Sequence, residues 1–128
     1  AYNGLGDHQV ALQYLNKSRA MQRALRNQWR EAAVTNNLGD AYLALRQYDS
    51  AIAAYSFALN KSRQENYVLG INTNLRNIGN VWEQCGNYDS AMHNYRTCLV
   101  LSTQSNDNRG RILSHQSIAS VLYKTGKW

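Results

Sequence analysis

The sequence predicts an all-α solenoid of antiparallel helix hairpins, and three observations carry that prediction. Thirteen residues, QYDSAIAAYSFAL from Gln47 to Leu59, return as NYDSAMHNYRTCL from Asn87 to Leu99, forty positions later. Apolar residues inside each copy follow a helical rule: Leu38, Ala41, Tyr42 and Leu45 stand at i, i+3, i+4 and i+7, and Ala51, Ile52, Tyr55, Ala58 and Leu59 do the same. Strand alternation is absent, and so is proline, which leaves glycine to mark the joints.

The forty-residue ruler places every element in turn. Ala1 to Leu5 reads as the tail of a first helix, followed by the joint GDHQ and a second helix. Asn37, Gly39, Tyr48, Asp49, Ser50, Ala51, Tyr55 and Leu59 then align with Asn77, Gly79, Tyr88, Asp89, Ser90, Ala91, Tyr95 and Leu99. Tyr2 falls under Tyr42 and Leu5 under Leu45; Ile118, Val121 and Gly126 fall under Ile78, Val81 and Gly86. This gives a partial repeat at 1–28, repeats at 29–68 and 69–108, and a partial repeat at 109–128. Within a copy, RQYD, GNYD and TGKW are the hairpin joints, where glycine ends one helix and aspartate or asparagine caps the next. The polar stretch TQSNDNRG, from Thr103 to Gly110, reads as a longer link between hairpins.

Facing antiparallel helices account for the recurring residue types. Gly39 with Ala51, and Gly79 with Ala91, are small where two helices approach closely. Tyr42 and Trp82 fill the hairpin, and Tyr55 and Tyr95 reach toward the following one. No such hairpin buries its apolar face alone, so stability comes from stacking. The chain is expected to continue the array or to pack its open ends, including SIASVLYKTGKW, on another copy.

Composition narrows the function classes. A chain of 128 residues with 44% apolar content supports a packed domain, with no apolar run of membrane-spanning length and no basic-then-apolar leader in AYNGLGDHQV. Net charge of +6 and a pI near 9.6 favour acidic partners. The densest basic stretch holds Lys17, Arg19, Arg23, Arg26 and Arg30, and Trp29 is its one aromatic. Base stacking therefore has little to work with, and a solvated helix face outweighs a nucleic-acid patch. Two cysteines in an unstapled chain point to a reducing, cytoplasmic compartment. Cys98 aligns with Ala58 and Cys85 with Leu45, so both are expected in the core.

NNLGDAYLALRQYDSAIAAYSFAL and RNIGNVWEQCGNYDSAMHNYRTCL resemble tetratricopeptide repeats, with Leu-Gly, aromatic, Ala, aromatic and Ala at fixed offsets. The resemblance covers essentially the whole chain and implies a right-handed superhelical solenoid that acts as a scaffold or adaptor. Ala119 replaces the glycine of the last copy, and Leu15 the second aromatic of the first. The period of forty exceeds the usual 34 and resembles the subgroup of kinesin light chains and LGN-type adaptors.

In such an array the first helices line a concave groove. The positions expected to meet a peptide are Asn36, Asn37 and Asp40; Arg76, Asn77, Asn80 and Glu83; and Gln116, Ser117 and Ser120. In the resembling forty-residue proteins an asparagine ladder clamps the backbone of an extended partner. Asn37 and Asn77 match it and Ser117 departs from it; an amide suits the task because it both donates and accepts. Arg76 would select a carboxylate or phosphate, and Leu43 and Tyr123 would add apolar contacts. The lysine-rich clamp of chaperone-binding repeats is not reproduced, since Ala33, Asp40, Thr73 and Arg76 stand there.

No enzymatic chemistry is legible. His8, His93 and His115 lie in separate copies without cysteine or carboxylate at ligand spacing, so no metal or cofactor is expected. His115 instead takes the core position of Thr35 and Leu75. GKW is a joint and not the end of a phosphate loop. The expected function is a protein-interaction scaffold that holds a partner segment in its groove. The alternatives are an assembly module that self-associates through its ends, or a basic surface docking on nucleic acid or anionic lipid.

Overall fold

The computed structural model describes residues 4–127, with the side chains of Gly4, Leu5, Gln28 and Trp29 outside the description. The expectations placed on Tyr2, Leu5, Trp29 and Trp128 therefore lie outside the described residues. Six helices follow in order among those described: α1 (Gly4–Ala24), α2 (Gln28–Ala44), α3 (Tyr48–Gln64), α4 (Val68–Gln84), α5 (Tyr88–Gln104) and α6 (Asn108–Thr125). None of the described residues is in a strand. The all-α class predicted from periodicity is the class observed, and the antiparallel hairpins fit what the tetratricopeptide resemblance implies.

The chain forms two compact units, residues 1–65 and 66–128. In the first, α2 packs against both α1 and α3; in the second, α5 packs against both α4 and α6. Short links make sequential helices antiparallel neighbours.

Every link has the same length, which the sequence reading did not anticipate. The residue at its centre is left-handed at Arg26, Arg46, Asn66, Gly86 and Asn106, with φ of 56°, 60°, 53°, 86° and 55°, and Gly126, the C-cap of α6, is left-handed too at 71°. These positions stand twenty apart, so the forty-residue repeat is two helical segments of equal length. The turns at Arg26, Arg46, Gly86, Asn106 and Gly126 are closed by paired backbone bonds; Gly86 N–H donates to Glu83 O and Asn87 N–H to Trp82 O. The expected long link from Thr103 to Gly110 shrinks to residues 105–107, because Asp107 caps α6 early, accepting from the Gly110 amide at 2.9 Å. Asn27 and Asn87 cap α2 and α5 in the same way. Gln47 and Tyr67 make no side-chain cap, and α3 carries Asp49 in its first turn, suited to the helix dipole. The expected joint GDHQ is likewise not a joint: these residues belong to α1, with Asp7 in its first turn.

Packing revises the roles of the aromatic residues. Tyr55 and Tyr95 each lie across the glycine of their own hairpin, and Tyr95 also packs with Val121 of α6, in the following copy, as expected. A Cβ on Gly39 would stand 2.5–2.8 Å from Tyr55 ring atoms, and one on Gly79 would stand 2.7–3.2 Å from those of Tyr95. Each glycine is thus small because a phenol ring lies across it. Trp82 does fill its hairpin, packing with Tyr88, Met92 and Ile118 against Ala91, Tyr95 and Val121. Two further expectations are corrected. His115 is exposed, because the buried stripe of α6 runs through Gly110, Ser114 and Val121. Cys85 is exposed at the C-terminal cap of α4, whereas Cys98 is fully buried as expected.

Candidate functional site

The second unit gathers most of the residues expected to meet a partner. Asn80 and Glu83 from α4 and Gln116, Ser117 and Ser120 from α6 line one open cavity of about 310 Å³, with Leu113 and Lys124 completing it. Arg76 lines a neighbouring cavity of about 470 Å³ with Asn72, Thr73 and Arg109, and Leu113 borders both. Asn77 is half-buried on α4. Thr73, Asn77, Asn80 and Gln84 follow the i, i+4, i+7, i+11 spacing of one helix face, so Asn77 falls between the two cavities.

The geometry divides these residues into committed and available groups. Glu83 is 8% exposed and accepts from three donors: Tyr95 Oη at 2.8 Å, Ser120 Oγ at 2.7 Å and Lys124 Nζ at 2.6 Å. Burial works against its charge, but the bonds from Lys124, Ser120 and Tyr95 outweigh it and hold the carboxyl below its ordinary range. Tyr95 Oη also lies 2.6 Å from Asn80 Oδ1. A phenol has one proton to give, and the carboxylate is the stronger acceptor. The Asn80 amide, turned by half a rotation, then donates its NH₂ to the phenol oxygen. Burial and the Glu83 carboxylate raise the Tyr95 pKa, so the hydroxyl stays protonated. Glu83 and Ser120 thus tie α4, α5 and α6 together at the wall of this cavity. Gln116, at the exposed surface, and half-buried Ser117 are left to face it.

In the first unit the expected residues stand on α2. Asn37 and Asp40 are exposed and Asn36 is partly buried. Asp40 accepts from the Tyr55 hydroxyl, repeating the Tyr95 arrangement forty residues earlier. Burial and this carboxylate raise the Tyr55 pKa. Leu43 is half-buried, and Tyr123 on α6 is exposed. The basic stretch is partly used within its own unit: Arg23 Nε meets the buried Glu31 at 3.0 Å, and Lys17 Nζ stands over the Tyr14 ring.

Among the lining residues not singled out from the sequence are Asn72, Asp107, Arg109 and Lys124. Only Asn72 left a trace, an amide where the preceding copy has Ala32. Burial pushes the Cys98 thiol up to about 11, although the Arg76 charge works the other way, so this buried sulfur is unreactive. Among the described residues no group of three or more His, Cys, Asp or Glu is placed to hold a metal ion. No described helix is long and apolar enough to cross a membrane.

A family model described as tetratricopeptide repeat matches residues 1–64. No curated protein matches the chain.

Proposed function

Because the chain belongs to the tetratricopeptide-repeat family, whose repeats are generally protein–protein interaction modules, we propose that it holds an extended segment of a partner protein along the first helices of its repeats, with α4 and α6 of the second unit forming the contact best defined by its cavities. One observation carries this reading: Asn80, Gln116 and Ser117, chosen by their place in the repeat, line a common open cavity in the second unit. Asn77 and Asn37 clamp the partner's backbone through their paired donor and acceptor atoms. The net charge of +6 favours an acidic partner. The unpaired cysteines suit an adaptor of the reducing cytoplasm. The forty-residue period supports a place in the kinesin light chain and LGN-type subgroup.

The test is selection from a displayed library of extended peptides, followed by Asn37→Ala combined with Asn77→Ala. The double variant is expected to weaken a selected peptide at least tenfold while helicity and Tm stay within experimental error. Equal loss of binding and of Tm would show these asparagines to be structural, and unaltered affinity would remove them from the site. A steep fall of affinity with salt for nucleic acid, exceeding that for the peptide, would favour the basic surface instead.

A further inference from the structure

The larger of the two cavities carries more specific chemistry than a groove wall. It is bounded by Asn72, Thr73 and Arg76 of α4 and by Asp107, Arg109 and Gly110 at the start of α6. Two of its polar atoms are buried with no hydrogen-bond partner: Oδ1 of Asn72 and Nη1 of Arg76. Asn72 is only 2% exposed, held through Nδ2 to Ser102 Oγ at 3.2 Å and through its backbone carbonyl to the Cys98 thiol at 3.4 Å. A buried acceptor without a donor is costly, and so is a buried donor without an acceptor. The fold does not demand an amide here, since Ala32 occupies the matching place in α2. These atoms are one turn apart on the same helix, and what they lack is complementary.

We propose that this cavity receives a primary carboxamide, the side chain of a glutamine or asparagine on the bound segment. A carboxamide brings one carbonyl oxygen and one NH₂ group. Its carbonyl accepts from Arg76 Nη1 and from the Arg109 guanidinium. Its NH₂ donates to Asn72 Oδ1 and to the Asp107 carboxylate, whose Oδ1 caps α6. A carboxylate fits worse on two counts: it has no proton for Asn72 Oδ1, and it meets the charge of Asp107. A cationic side chain faces two guanidinium groups. Tyr67, Leu69 and Leu113 supply apolar wall for a methylene stem. The inference rests on the groove reading for the route by which the carboxamide arrives.

The test is a nuclear magnetic resonance titration of the ¹⁵N-labelled chain with N-acetylglutamine N-methylamide, set against the glutamate analogue. The glutamine compound is expected to shift the Gly110 amide and the Asn72 side-chain amide, saturating with a Kd of about 1 mM for a ligand of this size. The glutamate compound should bind at least tenfold more weakly. Arg76→Met should abolish the shifts while the rest of the spectrum is unchanged, and Arg109→Ala should weaken binding severalfold. Equal or tighter binding of the glutamate compound would overturn the proposal, as would shifts that survive Arg76→Met or no shifts with either compound. Each compound is a single capped residue without an extended backbone to clamp, so the result is independent of the double asparagine variant. A library peptide that depends on Asn37 and Asn77 but shows no glutamine preference would leave the groove reading standing and defeat this one.

Discussion

Replacing Gly79 with alanine probes the tightest contact in the second unit. The new methyl would stand 2.7 Å from Cε1 and 3.0 Å from Cδ1 of Tyr95. That ring has no exposed surface, and Glu83 holds its hydroxyl at 2.8 Å. It cannot retreat without giving up the bond or displacing Ala91 and Val121. Overpacking costs about 1–3 kcal/mol, and a hydrogen bond to a charged acceptor contributes about 1.5–3 kcal/mol. Alanine returns about 1 kcal/mol in helix propensity. The net loss is about 3 kcal/mol, which lowers Tm by roughly 11 °C if all 128 residues melt in one transition. Circular dichroism at 222 nm, followed through thermal melting, measures it. In a Tyr95→Phe background the ring is no longer tethered, so the same substitution should cost about a third as much. A Gly79→Ala protein melting at or above the parent temperature would refute the reasoning, because propensity alone would then have decided the outcome.

Two further predictions follow from the same coordinates. Arg46→Gly should raise stability by about 0.5–1 kcal/mol, because glycine takes the left-handed conformation at φ 60° without the steric cost borne by arginine; urea unfolding reads the gain. Glu83 has a folded-state pKa below its ordinary 4.5, so its stabilising charge is fully present above that value and lost as pH falls through the lower one. Urea midpoints should therefore decline on acidification below about pH 4.5, and Glu83→Gln should lower stability at neutral pH while flattening that decline. An unchanged acid profile in the variant would place the titration elsewhere.

What the sequence disclosed, and what it hid, follows from the kind of signal each feature leaves. The repeat was legible because Leu38, Ala51, Tyr55 and their counterparts at Ile78, Ala91 and Tyr95 are core residues that recur in type. The equal links were hidden because arginine holds the left-handed place at 26 and 46, where turn rules look for glycine or asparagine. The partner of Gly39 was misread because spacing reports that a position must be small without saying what presses on it. Site residues were chosen by face, which carried Asn80, Gln116 and Ser117 to one cavity. Glu83 shared that face but bends behind it to Lys124 and Tyr95, a long-range bond that no local pattern encodes. Asp107 and Arg109 stayed unseen because they sit beside a helix start that the sequence placed a few residues further on.

The uniform twenty-residue spacing of the turns also limits how this chain can change. An extra residue inside α4 would rotate everything beyond it by about 100° about the helix axis, carrying Asn80 and Gln84 away from the side that Thr73 occupies. A duplicated or deleted stretch of twenty residues would instead keep each remaining side chain in phase but exchange first helices of the repeat for second ones. Only steps of forty preserve both phase and place in the repeat, so growth by whole pairs is the one length change that leaves each helix in its present role.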